Sequence, residues 1–249
     1  MKTDHKILCV IPSRLNSTRL PRKALVLIQG KPMIQWVYEG ALKCKSFAKV
    51  VVATDCQEIA DVILKLGGDV EMTPSELPTG TDRVAYVAQK HPEYNVVVNL
   101  QGDEPFIRAD MLDSLVEPYL NGKNPSMATL ACPISLEKEY ADPNTVKVLV
   151  NKFNSAIYFS RSPIPFFRTH HVPNVPVHMH LGLYAFERNF LLDFTKMEQT
   201  PLEQAELLEQ LRALENGISI YVSLTPHKII EINYPEDLIA AEEYLKGRM

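Results

Sequence analysis

Apolar and polar positions follow two different periods along the first half of the chain. Ile7 to Pro12, Val50 to Thr54 and Val96 to Leu100 are nearly continuous apolar runs of strand length, whereas Pro32 to Lys43 and Glu58 to Leu66 read as helices. Strands that are apolar throughout are covered on both faces. The rhythm therefore predicts an α/β fold of βαβ units, a mostly parallel sheet with helices on both faces. Ligands of such sheets bind beyond the carboxyl ends of the strands, so the segments after each strand are where chemistry is expected.

From Met127 the rhythm changes. Met127 to Pro133, Val146 to Val150 and Ala156 to Phe159 are strand-like runs without intervening helices, followed by a proline-rich stretch from Ser162 to Pro176. This predicts a smaller antiparallel lobe, approximately residues 127–187, within one domain spanning residues 1–249. A helix then opens at Thr200-Pro201-Leu202-Glu203, with Thr as cap, Pro in the first turn and Glu completing a capping box, and it closes at Asn216-Gly217. Along it, Leu207, Leu208, Leu211 and Leu214 form an apolar stripe, while Glu206, Glu209 and Gln210 occupy another face. A strand-like run, Ile218 to Leu224, and a terminal helix from near Pro235 complete the pattern.

Composition narrows the function. The 249 residues are 46% hydrophobic, enough for a substantial core, and a net charge of −4 argues against a general nucleic-acid binder. Any anion site must be local. Four cysteines, Cys9, Cys44, Cys56 and Cys132, lie far apart without a C-x-x-C pair, which fits reduced thiols in a cytosolic protein. The polar start, Met1 to Lys6, resembles no leader, and no apolar stretch reaches the roughly 20 residues of a membrane span. A cytoplasmic protein with no membrane insertion is expected.

Three segments that follow strands carry candidate chemistry. Pro12 to Lys23 holds four cations, Arg14, Arg19, Arg22 and Lys23, beside the hydroxyls of Ser13, Ser17 and Thr18, and contains no glycine. A triphosphate would be held there by guanidinium forks and an ammonium rather than by a glycine-lined cradle; a solvated basic loop explains the charge equally well. Asn99-Leu100-Gln101-Gly102-Asp103-Glu104-Pro105 places Asp103 just past a buried strand, where it is the candidate ligand for a hard cation such as Mg²⁺. An ordinary turn before proline is the alternative. Thr79-Gly80-Thr81-Asp82-Arg83 offers hydroxyls and a guanidinium to a base or ribose, or else Thr81 simply caps a helix with Asp82 in its first turn. His178 and His180 point the same way along a strand, but no further well-spaced His or Cys accompanies them to make a metal site.

Taken in order, these segments resemble the 3-deoxy-manno-octulosonate (KDO) cytidylyltransferase family over nearly the whole chain. The family's I-P-A-R-x-x-S-T-R-L-P-G-K-P-L is matched by Ile11 to Leu25, its N-x-Q-G-D-E-P by Asn99 to Pro105, and its S-G-T-E-R by Thr79 to Arg83. Tyr158 to Pro165, His180 to Tyr184, the L-E-Q-L-R of Leu208 to Arg212 and the P-E-D-L of Pro235 to Leu238 continue the match. The resemblance implies a Rossmann-like, nucleotide-binding sheet and transfer of CMP from CTP to the anomeric hydroxyl of KDO. It also implies Mg²⁺ as cofactor, a product that feeds lipopolysaccharide assembly, and a homodimer joined through the lobe near Met127 to Arg168. By the same resemblance Arg14, Ser17, Arg19 and Lys23 hold the CTP phosphates, and Thr79, Thr81, Arg83 and Gln101 lie near the cytidine. Arg19, Lys23 and Asp103 form the catalytic set, and Arg161, His180, Tyr184, Glu209 and Gln210 contact the acidic sugar.

The chain departs from the family pattern at three points. Arg22 and Ala24 stand where the family has Gly and Pro, and Asn233 stands where the family's D-T-P-E-D begins with an Asp expected at the metal. Asn233 keeps an amide oxygen and is placed to cap the following helix with Glu236, but it brings no negative charge. Three rival readings follow: the same chemistry on 8-amino-KDO or a sialic acid, a metal-dependent glycosyltransferase, and a homologue that binds its ligands but turns over poorly.

Overall fold

The computed structural model describes residues 5–15, 17, 19–134, 137–168 and 176–246. Residues 1–4, Asn16 and Thr18 of the basic loop, and residues 169–175 of the proline-rich stretch lie outside them. The elements are, in chain order, β1 (Ile7–Ser13), β2 (Leu27–Ile28), β3 (Lys31–Pro32), α1 (Met33–Ala41), β4 (Phe47–Thr54), α2 (Gln57–Leu64), β5 (Asp69–Met72), α3 (Gly80–Lys90), β6 (Val96–Asn99) and α4 (Ala109–Leu120). There follow β7 (Met127–Pro133), α5 (Glu137–Ala141), β8 (Lys147–Val150), β9 (Ala156–Ser160), β10 (His178–Glu187), α6 (Arg188–Phe194), α7 (Pro201–Glu206), α8 (Leu211–Glu215), β11 (Ile220–Leu224) and α9 (Asp237–Lys246). Contacts among the described residues divide them into two compact units, 5–113 with 229–246 and 114–228, the boundary falling within α4.

The first unit contains the parallel sheet that the apolar runs predict. Its strand order is β6-β1-β4-β5, with Cys9 opposite both Val50 and Val98 and Val52 opposite Val70. Every residue of β1 and of β6 is buried, as continuous apolar runs require of central strands. Counted by appearance, the order is fourth, first, second, third, so the sense of winding reverses between β1 and β6. That switch point is where doubly wound sheets leave a crevice for ligands. A second apolar cluster, including Leu20, Met33, Phe106, Ile232 and Leu245, ties the carboxy-terminal segment into this unit.

The second unit is a mixed sheet. β10 runs antiparallel to both β7 and β8, and β8 antiparallel to β9, while β11 lies parallel to β7. Two expectations need correction here. The lobe does contain a helix between its first strands: α5, Glu-Lys-Glu-Tyr-Ala, buries no residue and so has no apolar period to betray it. The single helix expected from Pro201 to Glu215 is two, because Leu207 adopts φ 52°, ψ 49° and ends α7 with its N–H on the Glu203 carbonyl. Leu207 is 79% exposed, so the four leucines do not share one buried stripe.

Tertiary partners override the local period at this break. The Glu206 carboxylate, on the face expected to be solvated, accepts from Ser160 Oγ at 2.6 Å and Arg161 N at 2.9 Å. Glu203 accepts from Thr200 N at 3.3 Å in the expected capping box, and its carboxylate also forms a bidentate ion pair with Arg212 in which both side chains are buried. The far end conforms to expectation: Gly217 at φ +74° lets its N–H reach Leu214 O and the N–H of Ile218 reach Ala213 O, a Schellman-type close.

Candidate active site

A cavity of about 290 Å³ opens at the carboxyl ends of β1 and β6. The loop after β1 supplies Arg14, Ser17, Arg19 and Lys23, the loop after β6 supplies Gln101, Gly102 and Asp103, and the start of α3 supplies Thr79, Gly80 and Arg83. The two loops meet closely: a Cβ on Gly102 would stand 3.0 Å from Pro12 O. Ser17 Oγ accepts from Leu20 N at 3.4 Å and folds the basic loop, and the Arg19 guanidinium lies 5.8 Å from the centre of the Tyr234 ring. Arg22 has φ 56°, the left-handed region in which a side chain is strained, which explains the glycine in the family motif. Its guanidinium is turned to Glu58, and it is not among the residues lining the cavity.

The start of α3 is capped by Thr79, not by Thr81. Thr79 Oγ1 accepts from Asp82 N at 3.1 Å, and the Asp82 carboxylate accepts from Thr79 N at 3.1 Å. Thr81, the second residue of α3, is buried and does not line the cavity. Its hydroxyl accepts from Asn99 Nδ2 at 3.3 Å, and Asn99 Oδ1 accepts from Gln101 Nε2 at 2.9 Å. This relay engages the amino end of the Gln101 amide and leaves its oxygen end for a ligand donor. Arg83 is 3% exposed, donating to Thr73 Oγ1 and to Asp55 at 3.1 Å. Residue order gives no signal of Asp55 and Thr73; they read as loop residues until the fold brings them to Arg83.

One corner of the cavity concentrates charge. Lys23 Nζ donates to Asp103 Oδ2 at 2.5 Å and to Asn233 Oδ1 at 3.0 Å. Asn233 reaches this corner because Ile232 is fully buried beside it and donates its N–H to Asp103 O at 3.1 Å. The expected capping by Asn233 with Glu236 is not what forms. The Asp237 carboxylate accepts from the backbone N–H groups of Asn233 and Tyr234 at 2.7 and 2.8 Å, and the Asn233 side chain turns to Lys23 and to Glu231, donating Nδ2 to Glu231 Oε2 at 3.0 Å.

Glu104 is 1% exposed with Oε2 lacking a partner; burial, then Glu231 and Asp103, push its pKa well above the usual carboxyl range. Glu231 reaches solvent, yet surrounding protein and the nearby Asp103 raise its pKa as well. Among the described residues no three His, Cys, Asp or Glu side chains are grouped to hold a metal. Mg²⁺ needs no such group when substrate phosphates share its shell. The oxygens of Asp103 and Asn233 already converge on one cation, the Lys23 ammonium, so the donor set suits a hard cation.

The expected sugar residues lie in the second unit. Register slips on β10 between His180, opposite Ala131, and Tyr184, opposite Thr129, with Gly182 at φ +50° between them. The slip brings Leu183 O to Thr129 Oγ1, which donates to it at 2.7 Å and therefore accepts from His180 Nε2 at 2.9 Å. His180 is thus a neutral imidazole with Nδ1 as its acceptor; burial lowers its pKa to about 3. Tyr184 donates to Gln210 Oε1 at 3.0 Å, and Gln210, 2% exposed, keeps Nε2 without a partner. The Tyr184 and His180 rings are 5.4 Å apart.

The other two expected residues are engaged otherwise. Arg161 directs its guanidinium to the carbonyls of Glu206 at 2.7 Å and Pro143 at 3.2 Å, and Glu209 lies 3.8 Å from Arg212. Sequence reasoning missed Thr129 and the fully buried Lys147, which donates to the carbonyls of Asp142, Thr145 and Arg161. An isolated Thr in an apolar run and a Lys opening a strand give no signal of these roles.

The fold and the phosphate-type cavity define a nucleotide-binding α/β protein, and comparison with known sequences gives the family. The cytidylyltransferase family profile matches residues 8–220, and the chain belongs to that family. It is 51% identical over 243 residues to the 3-deoxy-manno-octulosonate cytidylyltransferase of Acaryochloris marina, covering 98% of each chain. It is 45% identical over 233 residues to that of Leptospira biflexa, covering 94% of each. A solved structure of CMP:2-keto-3-deoxy-manno-octonic acid synthetase complexed with CTP superposes with a TM-score of 0.92 at 38% identity, covering 98% of this chain and 100% of that one. The 4-diphosphocytidyl-2C-methyl-D-erythritol synthase of Anaerococcus prevotii shares the fold alone, with a TM-score of 0.65 at 14% identity over 97% of this chain and 99% of that one. No helix among the described residues is long and apolar enough to cross a membrane.

Proposed function

We propose that this protein transfers CMP from CTP to the anomeric hydroxyl of KDO, releasing pyrophosphate. The observation that carries the reading is the cavity at the β1/β6 switch point, where Arg14, Arg19 and Lys23 face Asp103 and Asn233 in a chain 51% identical to a KDO cytidylyltransferase. In the reaction the hydroxyl oxygen bonds to the α-phosphorus as the bond from that phosphorus to the β-phosphate bridging oxygen breaks; the hydroxyl proton passes to solvent and the electron pair leaves with pyrophosphate. Negative charge grows on the leaving group. Arg19 and Lys23 would neutralise it, Lys23 from a position held by Asp103 and Asn233.

Asp103 and the Asn233 oxygen would hold Mg²⁺, which supplies further neutralisation of the phosphate oxygens. The Gln101 oxygen, fixed by Asn99, suits a donor such as an amino group of the base. In the second unit, the neutral His180 acceptor and the unpartnered Gln210 donor suit sugar hydroxyls.

The reading carries with it a cytoplasmic site of action, a product destined for lipopolysaccharide, and a homodimer. Phe153, Ile157 and Phe166, 73%, 58% and 88% exposed on the antiparallel strands and the loops beside them, support that contact. Mass detection of CMP-KDO from CTP, KDO and Mg²⁺ tests the activity. Asp103→Ala is expected to abolish product, and a full rate in that variant would exclude the assigned role.

A further inference from the structure

We propose that Glu231 is a positioning residue of this site: it holds the Asn233 amide so that its oxygen, not its amino group, faces Lys23 and Asp103. The inference rests on the cytidylyltransferase reading for what the corner binds, and on the geometry of this chain for the role itself. Glu231 does not line the cavity, whereas Asn233 does, so Glu231 acts through its neighbour.

An amide presents an acceptor at one end and a donor at the other, and either end fits the same space. The neighbours decide which way it points. An ammonium can only donate, and an ionised carboxylate can only accept. Asn233 Oδ1 lies 3.0 Å from Lys23 Nζ, and its Nδ2 lies 3.0 Å from Glu231 Oε2. A flipped amide would set amino hydrogens against the Lys23 ammonium and oxygen against carboxylate, losing both bonds. It would also remove one of the two oxygens that converge on the cation position, leaving Asp103 alone at 2.5 Å.

Backbone bonds fix where this pair stands. Ile232, between the two residues, is fully buried and bonded to Asp103 O at 3.1 Å, and Asn233 N is tied to the Asp237 carboxylate at 2.7 Å. These bonds hold the main chain and leave the side-chain amide for Glu231 to set. The pair as a whole carries one carboxylate and one amide, with the carboxylate behind and the amide in front.

Exchanging the two should therefore preserve the site. In Glu231→Gln/Asn233→Asp, a carboxylate with two equivalent oxygens faces Lys23 and needs no orienting partner, while the amide now standing behind it can donate to it. In Glu231→Gln alone, the new side chain accepts or donates with equal ease, and only the Lys23 ammonium is left to direct the Asn233 amide.

The test is Mn²⁺ binding by the full chain with CTP and no acceptor, followed by electron paramagnetic resonance, beside kcat and KM with Mg²⁺ and KDO. Glu231→Gln is expected to raise the Mn²⁺ midpoint and lower kcat by about tenfold or more, with KM for KDO unmoved. The double exchange is expected to return both toward wild type. A wild-type midpoint in Glu231→Gln, or a double variant as impaired as the single one, would overturn the proposal. If Glu231→Gln does not fold, Asn233→Leu removes the amide itself and must raise the midpoint likewise; an unchanged midpoint there also overturns it. Because Mn²⁺ binding needs no turnover, a wild-type chain that shows this pattern but releases no pyrophosphate would sink the transferase reading and leave the positioning role standing.

Discussion

The two units carry their polar groups in opposite ways. The first faces its cavity with formal charge: Arg14, Arg19 and Lys23 against Asp103, on loops that reach solvent. The second builds two neutral pairs, Thr129 with His180 and Tyr184 with Gln210, in which one group fixes the direction of the other. On the proposed function the difference follows from what each would read. A polyphosphate is found by charge, which acts at a distance and tolerates imprecise geometry. A sugar hydroxyl is read by paired donors and acceptors, which discriminate only when they are fixed and shielded from water.

Breaking the buried support of the second unit should give the largest effect. Glu203→Ala removes the bidentate partner of the buried Arg212 guanidinium, and thermal or denaturant unfolding should show a loss of about 3–5 kcal/mol; a loss below about 1 kcal/mol would mean that the pair is not the support described. In the first unit, Lys23→Met removes a charge without disturbing a core. Its kcat for pyrophosphate release should fall about 10²–10³-fold with the melting temperature nearly unchanged.

Acid sharpens the contrast. The His180 pKa is lowered from 6.5 to about 3 in the folded chain, so below pH 6.5 the unfolded state binds the extra proton and stability is lost as pH falls. His180→Gln should recover up to about 2 kcal/mol of the stability lost between about pH 7 and about pH 5. Glu104 has the opposite sign: its pKa is raised on folding, so its contribution is present at low pH and lost as pH rises through the folded value. Smallest of all, Gln210→Leu should raise KM for KDO about tenfold and leave KM for CTP in place, because the two ligands are read by different units.

The contrast also explains what could be read from residue order. Continuous apolar runs announced β1, β4 and β6, and with them the switch point, because burial on both faces leaves only apolar residues along a strand. The charges of Arg14, Arg19 and Lys23 were visible for a related reason: a cluster of cations after a buried strand stands out against the apolar runs around it. The break at Leu207 was not legible, since Leu at φ 52° carries no glycine signal and the helix is ended by Glu206 and Glu203 turning to distant partners.

Thr129 was hidden because its role exists only once β10 slips register beside it. At the corner that Lys23, Asp103 and Asn233 share, residue order shows Asn233 only as a missing charge. Its bond to Glu231, two residues before it in the chain, becomes apparent only when both neighbours of the amide are in place.

The most direct test of the account is pyrophosphate release from CTP with Mg²⁺, measured with KDO, with 8-amino-KDO, with a sialic acid and with no acceptor. The account predicts stoichiometric release with KDO and none without an acceptor. Absence of release with every acceptor, while CTP is bound, would contradict it and favour a binding protein.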